Sequence, residues 1–295
     1  MARVNVDNWI PEERGSSVLE VVSQTSAVEL LATRENMGTD AKVIPAVNGV
    51  AVSVIAKGAA YPEDVTADGE VTLKARKFGT AIRIAEEDLA DSPANIIASK
   101  QKSWATAYAV ELDNACLAVT GAENGTTVPF TSVYSAVNTG ASGNIIKTAG
   151  AVTYDDFSAA LAKVEGGAYS GADLVVIAHP FFKSALRDVK DSTGSPLFVQ
   201  GLAGTPDTIF GYRVVWSKGA KTSAVATSNP QGNPLLIAVN PDFLLLGVRS
   251  GPESFLIDGN TGASALTDEA ILKMRARRAF TLGNAEAAAI VEVTA

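Results

Sequence analysis

The chain has 295 residues, 47% of them hydrophobic and 19% charged, a composition that buries a core and excludes a disordered tail. Its 24 basic and 32 acidic side chains give a formal net charge of -8, which excludes a tight, sequence-reading nucleic-acid binder, since such binding is driven by releasing phosphate counterions onto Lys and Arg. The single cysteine, Cys116, allows neither an intramolecular disulfide nor a multi-Cys metal site and points to a reducing cytoplasm; the N-terminus has no apolar signal core, and no stretch nears the roughly 18 apolar residues that span a bilayer.

Residues 1–48 read as an arm with one helical patch, Ser16 to Glu35, in which Val18, Val21, Val22, Val28, Leu30 and Leu31 recur unevenly. From Gly49, Val50, Val52 and Val54 alternate with small or polar residues, and the alternation resumes at Val71, Leu73 and Ala75 and at Ile82 and Ile84. Period two predicts strand. Turn-rich, acidic Gly58 to Gly69 lies between, so residues 49–84 read as a long two-stranded ribbon with its tip near Ala59 to Asp68. A lone ribbon is marginal in water; this one has few large apolar residues and needs burial on its own core or on another chain.

A strong helix start follows. Asp91 or Ser92 can accept the free amide hydrogens and Pro93 suits the first helical position. Ile97, Trp104, Tyr108, Leu112, Ala115 and Val119 form one apolar stripe down to Gly121, predicting a spine helix roughly 40 Å long. The acidic cluster Glu86, Glu87, Asp88 and Asp91 just before it reads as capping, where the helix dipole favours negative charge. Residues 121–151, rich in Gly, Thr, Asn and Ser, predict a surface excursion and a subdomain boundary, with Asn124-Gly125-Thr126 as a turn rather than a glycosylation site.

The second half predicts a helix from Thr153 to Glu165, a buried run Leu174 to Ala178, and a helix opened by Pro180 through about Val189. Strand-like runs follow at Thr208 to Trp216, Leu235 to Val239, Asp242 to Arg249, Ser254 to Asp258, Ala270 to Phe280 and Glu286 to Val293. In the stretch Ile271 to Arg278 the alternation is that of a strand with one wet face. The class is α+β.

The residues do not assemble a nucleophile, a base and a means of holding charge, so the reading is non-enzymatic, with no cofactor and no metal. His179, between the buried run and Pro180, is best placed to satisfy backbone groups at a helix start. Gly140 to Thr148 superficially resembles a phosphate loop, but Ile146 stands where Gly must precede Lys147. Asp188, Asp191 and Gly194 lack the alternate-position oxygens and the closing Glu of a calcium loop. Arg275, Arg277 and Arg278 form a dense basic cluster, read as a solvated strand face pairing with acids, with an intersubunit or DNA-facing role as the alternative. Cys116 reads as a small core residue.

The order of parts and several local phrases resemble the major capsid proteins of tailed bacteriophages with the HK97-like fold. The phrases are Ser26-Ala-Val-Glu-Leu-Leu through Met37-Gly-Thr and Ile44-Pro45; Lys77-Phe-Gly-Thr-Ala-Ile-Arg-Ile-Ala-Glu-Glu-Asp-Leu-Ala-Asp91; Glu111-Leu-Asp-Asn-Ala-Cys-Leu-Ala-Val-Thr-Gly121; Val176-Ile-Ala-His-Pro180 with Leu186 to Gly194; and Ile209-Phe-Gly-Tyr-Arg-Val-Val215. Each phrase alone is weak, and their collinear order from about Ser26 to the C-terminus carries the resemblance.

The resemblance implies an N-terminal arm (1–48), an extended β-hairpin E-loop (49–84), a spine helix with part of a peripheral domain (85–150), an axial domain (151–245) and a C-terminal β region completing the peripheral domain (246–295). It implies an assembly interface on the E-loop at Lys57, Ala60, Tyr61, Pro62, Glu63, Asp64, Asp68 and Lys74, with arm contacts at Trp9, Ile10 and Arg14. Expected partners are further copies of the chain in pentamers and hexamers of an icosahedral shell, a separate scaffolding protein, a portal, a decoration protein, and packaged double-stranded DNA in weak, non-specific contact. No membrane is expected; the location is the virion capsid, assembled in the host bacterial cytoplasm. Some family members link Lys to Asn between subunits, and Lys57, Lys74 and Lys77 lie on this ribbon, but no acceptor Asn or catalytic Glu aligns. The alternatives are an encapsulin-type compartment, against which the extended arm argues, and an unrelated soluble α+β protein.

Overall fold

In the computed structural model the described residues are 25–46, 52–61, 63, 69–91, 95–150, 152–169, 173–188, 207–257 and 268–294. The chain divides into two compact units, one formed by Met1–Ser23, Gly79–Thr106 and Glu253–Arg275, the other by Gln24–Phe78, Ala107–Pro252 and Ala276–Ala295.

The larger unit begins with a short helix α1 (Ala27–Leu31), capped by the Ser26 hydroxyl, which accepts from the Glu29 amide. The helical patch expected from Ser16 to Glu35 is thus cut short, its residues before Thr25 lying outside the described set. Ala32 is extended, and Thr33–Asn36 form strand β1, parallel to a later strand in the register Thr33↔Leu245 to Asn36↔Val248. A ladder partner overrides the weak helical periodicity, as tertiary pairing commonly does.

Strand β2 (Ala41–Ala46) pairs antiparallel with β3 (Gly69–Lys74), from Ala41↔Lys74 to Ala46↔Gly69. This corrects the expected ribbon. Its outgoing strand is residues 41–46, placed in the arm by sequence, whereas Val52 to Ala56 carry no strand and Val50 lies outside the described residues. Opposite residues of an antiparallel pair share a face. Ile44 and Val71 lie on the inner face, and Leu73 is fully buried in a cluster with Met37 and Ala279.

A long strand β4 (Arg76–Ala85) leads into helix α2 (Glu86–Asp91) and then the spine, helix α3 (Ile96–Leu117). At 22 residues the spine is about 33 Å long, shorter than expected because it begins at Ile96 and ends at Leu117, before Gly121; the acidic cluster ahead of it forms its own helix rather than capping the spine. Asn95 supplies a cap instead, its Oδ1 accepting from the Ala98 amide at 3.0 Å; Ser92 and Pro93 lie outside the described residues. The single apolar stripe is also corrected: from Tyr108 to Val119 every residue except Glu111 is buried, polar Asp113 and Asn114 included.

Residues 121–150 are a surface excursion only in part: 121–127 and 138–150 hold no buried residue, but the stretch between packs inward. The segment forms helix α4 (Val133–Gly140), a 3-10 turn (Ser142–Asn144) and strand β5 (Ile145–Ala149), with Val128, Phe130, Val133, Tyr134 and Val137 buried. Helix α5 (Tyr154–Glu165) starts at Thr153 with a reciprocal capping box to Asp156. Strand β6 (Val175–Ala178) is the buried run, and helix α6 (Phe182–Asp188) follows. Short β7 (Thr208–Ile209) turns through Phe210 and Gly211, at φ 51° and 88°, into β8 (Tyr212–Trp216), a left-handed pair that makes the tight hairpin turn. Strand β9 (Leu235–Val239) is wholly buried, and β12 (Ala288–Thr294) nearly so. These strands form a six-stranded sheet ordered β5-β12-β9-β6-β8-β7, parallel between β12 and β5 and between β6 and β8, antiparallel elsewhere. Helix α5 covers it through Phe157, Leu161 and Val164 against Val176, Leu236 and Val291.

Strands β10 (Leu244–Ile257) and β11 (Glu269–Leu282) complete a second sheet ordered β1-β10-β11-β4. The two strand-like runs expected at Asp242 to Arg249 and Ser254 to Asp258 join in one strand, β10, which Asp242 precedes in a 3-10 turn; Asp258 lies outside the described residues. In β11 burial alternates strictly from Ala270 to Arg277, as its sequence alternation predicted. Mixed helix and sheet, α+β, is the observed class.

Candidate assembly surface

Among the described residues, Val52 to Tyr61 is a segment with almost no burial. Val52 is 95% and Tyr61 85% exposed, Val54 is fully exposed, and Lys57, Ala60 and Glu63 are exposed beside them. The Ala59 amide donates to Ala56 O at 3.0 Å around Gly58, whose φ of 86° suits glycine. Burying a side chain of this size gains about 1.5–3 kcal/mol, a gain that these three do not realise within their own subunit. Lys74 is exposed on β3, at the root of the same ribbon. Pro62, Asp64 and Asp68, and the arm positions Trp9, Ile10 and Arg14, lie outside the described residues.

The spine carries polar groups that sequence reading missed. Asp113, fully buried on α3, accepts four hydrogen bonds: from the hydroxyls of Ser26 (2.5 Å) and Ser217 (2.6 Å) and from the amides of Ala27 (2.9 Å) and Val28 (3.1 Å). Burial pushes its carboxyl above the usual range and these donors pull it partly back. Asn114 beside it donates to Gly219 O and Lys221 O and accepts from the Ser223 hydroxyl. The two residues fasten the start of α1 and the 217–223 loop to the spine. The only hint in the sequence is that adjacent Asp113 and Asn114 sit inside the otherwise apolar run from Leu112 to Val119.

The three arginines are not one patch. Arg275 and Arg277 lie on the part-exposed face of β11. Arg275 donates to Glu253 at 3.0 Å, and Arg277 to Asp40 at 3.0 Å. Arg278 is turned inward, 5% exposed, and pairs with Glu29 at 2.8 Å; Tyr108 donates to the same carboxylate at 3.3 Å. A buried pair is costly to break, since the remaining charge is left without its partner.

His179 is half-buried after β6, and its Nδ1 accepts from the Phe181 amide at 3.1 Å, the backbone role expected of it. Burial first, then the charges of Lys221 and Lys218, lower its pKa to about 4. It lines a cleft with both lysines, Asn229 and Gln231. Cys116 is buried in the core, as expected.

The model of the phage capsid family matches residues 7–292. The chain belongs to the phage capsid family. This capsid-family chain is 26% identical over 201 residues to a probable major capsid protein, gp17, of Mycobacterium phage D29, covering 66% of the chain and 59% of that relative. Among solved structures, a chain from Mycobacterium phage Bobi superposes with a TM-score of 0.74 at 20% identity, covering 98% of this chain and 97% of the other. The capsid of an empty GTA particle gives a TM-score of 0.70 at 15% identity, covering 98% and 97%. At these identities the superpositions establish the fold alone: it is the α+β capsid fold that the resemblance in sequence implied.

Proposed function

We propose that the chain is a major capsid protein that self-assembles into pentamers and hexamers of an icosahedral shell enclosing double-stranded DNA. The family match over residues 7–292 carries this reading, and the ribbon segment from Val52 to Tyr61, apolar and unburied in its own subunit, supports it. The role is structural, not catalytic. Self-assembly is by lapping the E-loop, with Lys57, Ala60, Tyr61, Pro62, Glu63, Asp64, Asp68 and Lys74, and the arm, with Trp9, Ile10 and Arg14, onto neighbouring copies. Arg275 and Arg277, part-exposed and paired with Glu253 and Asp40 within the subunit, extend those surface pairs to a neighbouring subunit or to DNA. Arg278, committed to Glu29 within its own subunit, serves the core instead. A peripheral domain around the spine and an axial domain over 151–245 divide the subunit. A separate scaffold, a portal and a decoration protein complete the shell, which forms in the host cytoplasm and becomes the virion capsid.

The test is negative-stain microscopy of the purified chain expressed with its neighbouring genes, followed by nucleic-acid extraction. Shells containing DNA support the proposal. Shells containing protein cargo, or small particles alone, overturn it.

A further inference from the structure

The cleft beside His179 encloses about 370 Å³. It lies where the 217–223 loop folds tightly against the spine: a Cβ on Gly219 would stand 2.6 Å from Val110 O and 2.7 Å from Asn114 N, so only glycine allows the approach. That approach, with the Asn114 side chain bonded to Gly219 O and Lys221 O, fixes Lys218 and Lys221 as two flanking cations. Eight described Lys or Arg side chains lie within 4.0 Å of a carboxylate. Lys218 and Lys221 have no such partner among the described residues, in a chain with eight more acids than bases. Asn229, whose Oδ1 accepts from the Gln231 side-chain amide at 2.8 Å, lines the cleft with Ser228, Pro180 and Pro230, so its own amide and the Ser228 hydroxyl are the neutral polar groups beside the two ammoniums. Two unpaired ammoniums with neutral donors in a concave site are a receptor for a multiply charged oxyanion.

We infer that the cleft between His179, Lys218 and Lys221 binds a phosphate group, presented either as free phosphate or as the phosphodiester of a nucleic acid. A cleft of about 370 Å³ is too small to take a duplex, so a nucleic acid reaches it only through a single flexible strand. The site is independent of the ribbon, and its test does not require assembled shells.

His179 is the chain's only histidine, so in the tag-free full-length protein its imidazole gives a single set of NMR signals from the wall of the cleft. Inorganic phosphate should shift that signal saturably at millimolar concentration, and sodium chloride of matched ionic strength should not. An oligothymidylate saturating at a lower phosphate concentration than the free ion identifies the polymer as the source; equal or weaker saturation identifies free phosphate. Lys218→Gln should weaken binding, and with Lys221→Gln as well the loss should reach about tenfold or more. Both lysine side chains can be replaced without touching the Asn114 bonds, which go to backbone oxygens, so an unchanged urea midpoint should accompany the loss. An equal response to chloride, no response to either phosphate source, or wild-type affinity in the double variant overturns the inference.

Discussion

At Asp113 a charge-bearing residue sits where hydrophobic burial alone would place Leu. Its four donors come from two segments far apart in the chain, 26–28 and Ser217, so removing it takes this acceptor from two buried hydroxyls and two amides at once. An unsatisfied buried donor costs about 1–3 kcal/mol. Asp113→Ala should therefore lower the unfolding free energy by about 3–5 kcal/mol, near the upper limit for a single change, read as a shift in the urea midpoint at unchanged slope. Asp113→Asn, which keeps the shape but must point an NH2 group at a donor, should recover only part of the loss. His179 yields a pH prediction. Its folded pKa of about 4 lies below the ordinary value of 6.5, so above pH 6.5 it is neutral in both states and its contribution is fully present. As pH falls from about 6.5 towards 4, the unfolded chain takes up the proton first and the contribution is lost. The difference in stability between wild type and His179→Gln should shrink across that window; a constant difference would refute the assignment.

At the element scale, legibility followed the source of the burial. Strand β9 was read to the residue because Leu235 to Val239 is apolar throughout and flanked by Pro234 and Asn240. Helix α5 was legible from Thr153 and the two glycines that end it. The middle of the 121–150 segment was misread because its Gly, Thr and Asn content signals turns, and only packing of Phe130, Val133 and Val137 turns that part inward. The spine was misread in the opposite sense: a stripe describes a helix with one wet face, and here the unit closes around Tyr108 to Val119. Val50, Val52 and Val54 alternate like a strand, yet alternation does not supply a ladder, and the partner of β3 is β2. The polar half of the site was not legible at all, since hydrogen bonds from Ser26 and Ser217 to Asp113 span 87 and 104 residues. The 217–223 loop tests how tightly two elements can approach. Gly219→Ala would place its methyl within 2.7 Å of spine backbone that cannot yield. Overpacking of this kind costs about 1–3 kcal/mol, and a melting temperature unchanged from wild type would show that the loop can withdraw.

At the scale of the whole molecule, the contrast is between a ribbon root that is buried and a ribbon segment that is not. Leu73 is inside the cluster with Met37 and Ala279, and Ile44 packs against it, so the root needs no partner. Val52, Val54 and Tyr61 are uncovered, and each would gain about 1.5–3 kcal/mol on burial. Replacing exposed residues leaves subunit stability within about 0.5 kcal/mol, because nothing they touch is lost. The triple variant Val52→Ser, Val54→Ser, Tyr61→Ser should thus show a wild-type urea midpoint together with loss of most particle yield, measured by light scattering and microscopy on the same preparation. Loss of the folded subunit would mean that the segment completes its own core. Full particle yield would mean that the shell contact lies elsewhere. Only an intact midpoint with impaired assembly fits a subunit whose burial is finished by its neighbours.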